Sequence, residues 1–285
     1  MAQKPQPRGG DVVYRVLSQD LYSTALHGDQ VGIRQDEQWR AKSRQFTSDA
    51  RIIGKIQESA RSKPSEKLSP LTKTGFIVIR ESTWSQEKDP NSRRLTMKLF
   101  SSSGNWLASI EEMLAEEYAV SYVSGVPQIV CSVLVSGSDI VTYIRQQRRG
   151  AMAVEGYSFY VPGPDGSFQV FSVVGKRATA GDDFNVVMLE NEVVVAEIDS
   201  KFGDVGGEFV VSIKDSILAN NDLFVRVLQC FSLVVRYRKE IWNKIGRGLE
   251  EWTKGKKRPI QHKYEVSLLA NPRRITLKRD ELEEV

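Results

Sequence analysis

The chain has 285 residues, 27% of them charged, with a formal net charge of +4 and a mean hydropathy of −0.34. These values are typical of a soluble protein with one large domain or two small ones. Two cysteines and two histidines exclude by their number a metal site built from Cys and His. Cys131 and Cys230 lie in apolar runs and are predicted to be buried, reduced thiols, as in a cytosolic or nuclear protein. Residues 1–10 lack an apolar segment and are predicted to be a flexible lead rather than a signal peptide.

The first third of the chain predicts short strands separated by loops. Strand-like pieces at 12–16 and 21–33 come before an exposed loop at Ala60–Thr74, which carries two prolines. A clear strand follows at Phe76–Arg80. Apolar residues then alternate on both sides of a turn within Leu95–Ile110, which predicts a hairpin.

The middle of the chain mixes helical and strand patterns. Glu111–Tyr118 reads as an acidic helical stretch, and Ile129–Val135 as a strand. A second short helix is predicted at Asp139–Arg149, because arginines at its end complement the helix dipole. Pro162–Gly166 then separates two alternating segments and gives a strong hairpin signal.

The last predicted strands lead into a helix that is apolar on nearly all sides. Three alternating runs within Phe184–Ile213 predict an antiparallel meander, and its first two runs repeat the pattern of Leu95–Ile110. Leu223–Tyr237 then forms the apolar helix, with Asn220, Asn221 or Asp222 as its N-cap. Its apolar stretch is far shorter than the ~20 residues that cross a bilayer, so we predict a core helix and no transmembrane span.

The segment from Phe168 to Tyr237 resembles the end of the LURP-one-related domain, which belongs to the tubby-like and phospholipid scramblase superfamily. Members of that superfamily are closed barrels of about twelve strands around a hydrophobic C-terminal helix. The resemblance implies a mainly β (α+β) fold, with a closed antiparallel barrel around its central helix at residues 11–238 and a basic amphipathic extension and tail at 239–285. It also implies phosphoinositide binding, although no basic residue here matches the binding positions of tubby proteins.

Patterns for catalysis and for metal binding are missing from the sequence. The histidines, His27 and His262, stand in a Gly-Asp turn and in a basic tail, and neither belongs to a recognisable nucleophile and base arrangement. Gly175-Lys176-Arg177 has Val170 where a phosphate loop needs its first glycine. The acidic residues do not follow the spacing of a calcium loop. We therefore predict a non-enzymatic protein without a cofactor or a metal site.

The basic charge is concentrated late in the chain. From Arg236 to Arg258 there are nine basic and three acidic residues, a local net charge of +6. Apolar residues recur there at helical spacing, as in a helix that lies on an anionic membrane or docks on a partner. The alternative is that this apolar face packs on the barrel while the charges stay in water. The predicted lipid- or partner-binding residues are Arg236, Arg238, Lys239, Trp242, Lys244, Arg247 and Trp252.

The sequence therefore favours a binding or adaptor module. Its predicted partner is an anionic membrane lipid, phosphoinositide included by resemblance, or an acidic protein. The alternative function is that of a nucleic-acid-associated protein or a structural subunit of a large assembly, although no recognised RNA- or DNA-binding motif supports the former. The predicted location is the cytoplasm, with peripheral membrane attachment or the nucleus as alternatives.

Overall fold

In the part of the chain that the structure describes, twelve antiparallel strands form a closed barrel. The computed structural model describes residues 12–21, 50–147, 155–163, 166–176, 183–200 and 207–256. Each strand pairs with its neighbours in the chain, and the last strand closes on the first. The strands are β1 (Arg15–Leu21), β2 (Ala50–Ala60), β3 (Thr72–Arg80), β4 (Thr96–Ser101), β5 (Trp106–Glu112), β6 (Val130–Val135), β7 (Thr142–Gln146), β8 (Gly156–Pro162), β9 (Phe168–Gly175), β10 (Phe184–Met188), β11 (Val193–Ser200) and β12 (Glu208–Ile213).

Two α-helices complete the described fold. Helix α1 (Leu114–Ser124) connects β5 to β6, and helix α2 (Asp222–Thr253) follows β12 and a short 3-10 turn. Asn221, one of the predicted capping residues, caps α2 by accepting a hydrogen bond from Phe224 N at 3.1 Å. The predicted fold class, a mainly β closed antiparallel barrel around a C-terminal helix, is thus confirmed.

The first half of α2 fills the inside of the barrel. From Phe224 to Val235 every side chain except Arg226 is buried, which explains why this part of the helix has no solvent face. The Phe224 ring lies 4.9 Å from that of Phe171, and the Phe231 ring lies 4.9 Å from that of Tyr157. Both cysteines are free and buried, as predicted.

A buried carboxylate neutralises the one charged residue of α2 that lies inside the barrel. Glu58 on β2 pairs with Arg226 at 2.8 Å and with Arg15 at 2.5 Å, and it accepts a hydrogen bond from Gln229 Nε2 at 3.1 Å. Burial alone raises the pKa of Glu58, but the hydrogen bonds and charges of the two arginines outweigh it and lower the pKa to about 2. The polar side chains of Arg226 and Gln229 therefore find their partner on the barrel wall.

The barrel has two ends, which we name by the course of α2. At the front end α2 begins, close to the start of β1, where Arg15 Nη1 donates to Ala219 O at 2.9 Å. At the rear end α2 leaves the barrel between α1 and the loop 81–95 that joins β3 to β4. A helix of 32 residues is about 48 Å long, roughly twice the length of a seven-residue strand. Its second half therefore lies beyond the barrel interior, across the rear end.

The predicted boundary between barrel and extension, at residues 238/239, falls inside this single continuous helix. The reason is packing, because Ile241 and Ile245 are fully buried against the rear end and continue the apolar row of the first half. Gly248 lies where α1 crosses α2, and a Cβ there would overlap the Tyr118 hydroxyl. The lead at 1–10 and the tail beyond 256 lie outside the described residues.

Two predicted helices differ from the structure. The helix predicted at 139–149 is wrong, because residues 142–146 form β7, whose Thr142, Ile144 and Gln146 alternate into the barrel. The acidic helix predicted at 111–118 begins later, because Glu111 and Glu112 still belong to β5. Most of the strand pattern predicted at 21–33 lies outside the described residues.

The two hairpins with the repeated pattern occupy equivalent places in the barrel. Strands β4 and β5 are six positions away from β10 and β11 around the ring. Leu99 pairs with Ala108 as Val186 pairs with Ala196, and a register shift follows at the same point in both hairpins. This equivalence supports the internal repeat.

Candidate functional site

The predicted site residues all lie on the second half of α2, at the rear end of the barrel. This half of the helix presents an outward row of exposed side chains, and the inward side chains contact α1, the loop 81–95 and the strand ends. Arg236, Lys239, Arg247 and Trp252 are exposed, whereas Arg238 and Lys244 are buried and Trp242 is partly buried. The remaining exposed members of the outward row are Glu240, Asn243, Glu250 and Lys254.

Lys244 is a structural cation, which corrects its prediction as a surface contact. Lys244 is only 2% exposed, and its Nζ makes an ion pair with Glu112 and donates to Arg93 O at 2.9 Å. The second oxygen of Glu112 accepts a hydrogen bond from Leu95 N at 2.7 Å. The amphipathic spacing placed Lys244 at the edge of the apolar face, and its carboxylate partner lies 132 residues earlier in the chain. Lys244 thus ties α2 to β5 and to the loop 81–95.

A second buried carboxyl group accompanies this ion pair. Glu117 on α1 is fully buried, and its Oε1 accepts a hydrogen bond from Val130 N at 3.1 Å. Burial, and then the charge of Glu112, raise the pKa of Glu117 well above its usual range. The neutral form of Glu117 is therefore favoured in the neighbourhood of the ion pair between Glu112 and Lys244.

Trp242 and Arg238 also turn toward the barrel, which corrects their prediction as surface contacts. The indole Nε1 of Trp242 donates to Gln146 Oε1 at 2.8 Å, and the ring packs against the core. The guanidinium of Arg238 lies 3.5 Å from Glu155 Oε2 and 5.7 Å from the centre of the Trp242 ring. The alternative interpretation of the sequence, in which the apolar face of the extension packs on its own barrel, describes Trp242 and its apolar neighbours.

Trp252 instead joins an aromatic pair on the surface. It is 38% exposed, and its ring lies 5.8 Å from that of Tyr122, which is 63% exposed. Val123, beside Tyr122 near the end of α1, is 86% exposed. Tyr122 and Val123 were not predicted as site residues because the predicted helix ended at Tyr118. Their position in the last turn of a helix is visible only when α1 has its correct bounds.

A cleft of about 440 Å³ lies between the loop 81–95 and the outward row of α2. Arg93 and Arg247 both line it. Arg93 Nε donates to Glu87 O at 3.2 Å, and Arg247 Nε donates to Asn243 O at 3.3 Å. Among the described residues neither guanidinium is paired with a carboxylate. Arg93 was missed because it stands in a loop, and the Arg93-Arg94 doublet ahead of β4 is the only signal for it. The cleft is lined by Trp84, Pro90, Arg93, Glu240, Asn243, Lys244 and Arg247.

The described residues form neither a cluster of metal ligands nor a membrane-spanning helix. No group of three or more His, Cys, Asp or Glu residues there is arranged to hold a metal ion. None of the described helices combines the length and the apolar character that a membrane span requires. Comparison with known proteins yields no match to a family model, a curated protein or a solved structure. The candidate site is therefore defined by its own geometry.

Proposed function

We propose that this protein is a non-enzymatic binding or adaptor module that attaches to anionic membrane surfaces through the rear end of its barrel. The observation that carries the proposal is the combination of an exposed basic row on α2 with an exposed aromatic pair at the same end. Arg236, Lys239 and Arg247 supply the charge, and Trp252 with Tyr122 supplies the interfacial contact. A cytoplasmic protein bound peripherally to a membrane would use this surface.

The exposed charge of the row supports a moderate electrostatic attraction. Five exposed cations stand against two exposed carboxylates between Arg236 and Lys256, a net charge of +3. A basic residue near an anionic leaflet contributes about 1 kcal/mol, so the net charge contributes about 3 kcal/mol. One of the cations, Lys254, is engaged by Glu250 one turn earlier. Charge alone therefore gives weak binding, and a second contribution is needed.

The aromatic pair supplies that second contribution and favours a lipid partner over an acidic protein. Trp and Tyr concentrate at the boundary between lipid and water, because their rings are apolar on one side and polar on the other. Tyr122, Val123 and Trp252 project together at the ends of α1 and α2. An exposed Val at 86% next to two exposed rings suits insertion into a headgroup layer.

Membership of the tubby-like superfamily, with the LURP-one-related domain as the nearest resemblance, is part of the same proposal. The closed barrel of twelve strands around a C-terminal helix supports it, as does the equivalence of the two repeated hairpins. Phosphoinositide-type lipid is the ligand that this resemblance favours. The buried Lys244 and Arg238 do not take part, and the loop residue Arg93 adds a cation that the sequence prediction lacked.

Co-sedimentation with vesicles tests the proposal. We expect wild-type protein to bind vesicles that contain phosphatidylserine or phosphatidylinositol 4-phosphate and not vesicles of phosphatidylcholine. The double variant Arg236→Gln, Lys239→Gln removes two surface cations, which lowers affinity by about 2 kcal/mol or about thirtyfold. The variant Tyr122→Ala, Trp252→Ala should weaken binding to all anionic vesicles.

The matched control is the variant Lys63→Gln, Lys67→Gln, which makes the same charge change on exposed residues at the front end. An equal loss of vesicle affinity in the two double variants would mean that net charge, and not the rear end, drives binding. Absence of binding to any anionic vesicle would overturn the proposal and favour an acidic protein partner. Salt-sensitive RNA binding that ignores Trp252 would favour the nucleic-acid alternative.

A further inference from the structure

Strand β9 is apolar on both of its faces. Phe171 and Val173 point into the barrel and are buried, whereas Phe168, Val170 and Val174 point outward and are exposed. In an antiparallel sheet with one face in water, the outward positions are ordinarily polar. The outward face of β9 therefore indicates a surface that another apolar surface covers.

Outward side chains of the neighbouring strands extend this face into one continuous patch. Val170 lies at its centre, opposite Tyr160 on β8 and beside Leu189, whose N donates to Val170 O at 2.9 Å. The Tyr160 ring stands edge-on to that of Phe168, with 5.3 Å between ring centres. The outer patch, as we name this surface, consists of Phe168, Val170, Val174, Val187, Leu189 and Val194.

The outer patch has the area that the apolar part of a stable dimer interface requires. Its exposed side chains present about 500 Å² of apolar surface, which is at the upper end of what a monomer leaves in water. An interface of standard size buries about 800 Å² on each partner, about 60% of it apolar, which is also about 500 Å². Phe168, 61% exposed, supplies an aromatic side chain of the kind that is enriched in such interfaces.

The internal repeat shows that the equivalent face in the first half of the barrel is covered by protein. Strands β3 and β4 correspond to β9 and β10, so that Val78 corresponds to Val174 and Phe100 to Val187. Val78 and Phe100 are fully buried, although they point away from the barrel interior and belong to a separate apolar cluster. The structure contains one chain, so that cover comes from the chain itself. We therefore expect protein, rather than water or lipid, to cover the outer patch in the second half.

The charges around the outer patch also argue against a lipid surface there. The turn after Leu189 carries Glu190 and Glu192, which are exposed and which an anionic membrane repels. Farther along β11, Glu197 is already paired with Lys214 at 2.7 Å and with Lys176 at 3.5 Å. An uncharged centre within a polar rim is typical of a protein interface. Such a centre is complementary to itself, because an isologous contact places the same patch on both sides.

We propose that the outer patch is the interface of an isologous dimer, in which it packs face to face against the outer patch of a second copy of this chain. The described strands close into a ring and offer no free strand edge, so the two copies join through side chains of their sheet faces. The outer patch lies on the side wall of the barrel, whereas the basic row of α2 lies at the rear end. The dimer interface therefore does not depend on the membrane proposal, and a dimer would carry two rear ends.

Sedimentation velocity of the full chain, without lipid, tests the proposal. We expect the average mass to rise from 32.1 kDa toward twice that value as the concentration increases from about 1 to about 100 µM. Val170→Lys places like charges at the centre of the interface and should weaken association about a hundredfold or more. Phe168→Ala removes the aromatic contact without adding a charge and should weaken it about thirtyfold, which keeps the test valid if Val170→Lys does not fold.

The matched control is Leu71→Lys, which changes an exposed apolar residue just before β3, six strands away from β9 around the ring. It should leave association unchanged. Equal weakening in Leu71→Lys and Val170→Lys, or a mass that stays at 32.1 kDa up to about 100 µM, would overturn the proposal. Masses above that of a dimer would show a heterologous contact and overturn it as well. A monomeric wild type whose thermal midpoint falls in Val170→Lys but not in Leu71→Lys would assign the outer patch to a segment of the same chain instead.

Discussion

Glu58 should contribute strongly to the stability of the barrel. Replacing it by Gln removes the negative charge that balances Arg15 and Arg226, two side chains that are 16% and 13% exposed. The pKa of Glu58 falls from the usual value of 4.5 to about 2 in the folded protein. At 1.36 kcal/mol per unit, this pairing contributes about 3 kcal/mol to the free energy of unfolding at neutral pH. Two uncompensated guanidinium groups add to the loss in Glu58→Gln.

Urea unfolding at a series of pH values measures this contribution. Because the folded pKa lies below the unfolded value, the contribution is complete above pH 4.5 or so and disappears as the pH falls toward 2. We expect Glu58→Gln to lose about 3 kcal/mol or more at pH 7 and to show a shallower decline than the wild type between pH 5 and 2. The exposed control Glu190→Gln should change stability by less than about 0.5 kcal/mol. A loss below about 1 kcal/mol at pH 7, or parallel acid profiles for wild type and Glu58→Gln, would refute the reasoning.

Three further predictions concern the rear end. Gly248→Ala should destabilise the fold by about 1 to 3 kcal/mol, because its Cβ overlaps Tyr118. In thermal melts, the loss caused by Gly248→Ala should be smaller in a Tyr118→Ala background than in the wild type. An equal loss in both backgrounds would contradict this contact. Lys244→Met should lose about 3 to 5 kcal/mol in urea unfolding by leaving Glu112 buried without its partner, and Lys244→Met, Glu112→Gln should recover part of that loss; an additive double variant would argue against the pair. The raised pKa of Glu117 favours its neutral form in the folded protein, so its contribution to the free energy of unfolding grows as the pH falls through the folded pKa. Glu117→Gln should therefore be at least as stable as the wild type in urea unfolding at pH 8. A clear loss of stability there would show that the group is ionised.

The residue pattern predicted many of the strands and the central helix because these elements have local signatures, whereas the closed barrel was predicted from the resemblance. Alternation within Phe184–Ile213 and the nearly all-apolar run from Leu223 each encode their own environment. Strand β7 lacked such a signature, since Thr142 and Gln146 are polar and point inward. Gln146 is acceptable there because it accepts hydrogen bonds from Ile129 N at 3.2 Å and from Trp242 Nε1 at 2.8 Å. These two partners of Gln146 lie on other segments, so they can be identified only from the folded barrel.

The candidate site was only partly predictable for a related reason. Helical spacing identifies which residues of α2 share a face, but it does not say whether that face meets water, a membrane or the same protein. Lys244 and Arg238 are buried because each forms an ion pair with a carboxylate on a distant segment, Glu112 and Glu155 respectively. The cleft could not be predicted, because Arg93 lies in a loop more than 150 residues before Arg247 in the chain and the fold brings the two residues to the same cleft.

The two halves of α2 are mechanically one element, and this bears on how the rear end binds. Gly246 and Gly248 weaken an isolated helix by about 1 kcal/mol each, which from sequence alone favours a segment that orders on a surface. In the folded protein, Gly248 is the point of closest approach to α1, and the Lys244 ion pair fixes the preceding turn. Gly248 would thus destabilise an isolated helix, but in the folded protein it allows the close contact with α1 that stabilises α2. A rigid helix keeps Arg247 opposite Arg93 and Trp252 beside Tyr122 before any ligand arrives, so binding needs no folding step and loses little conformational entropy.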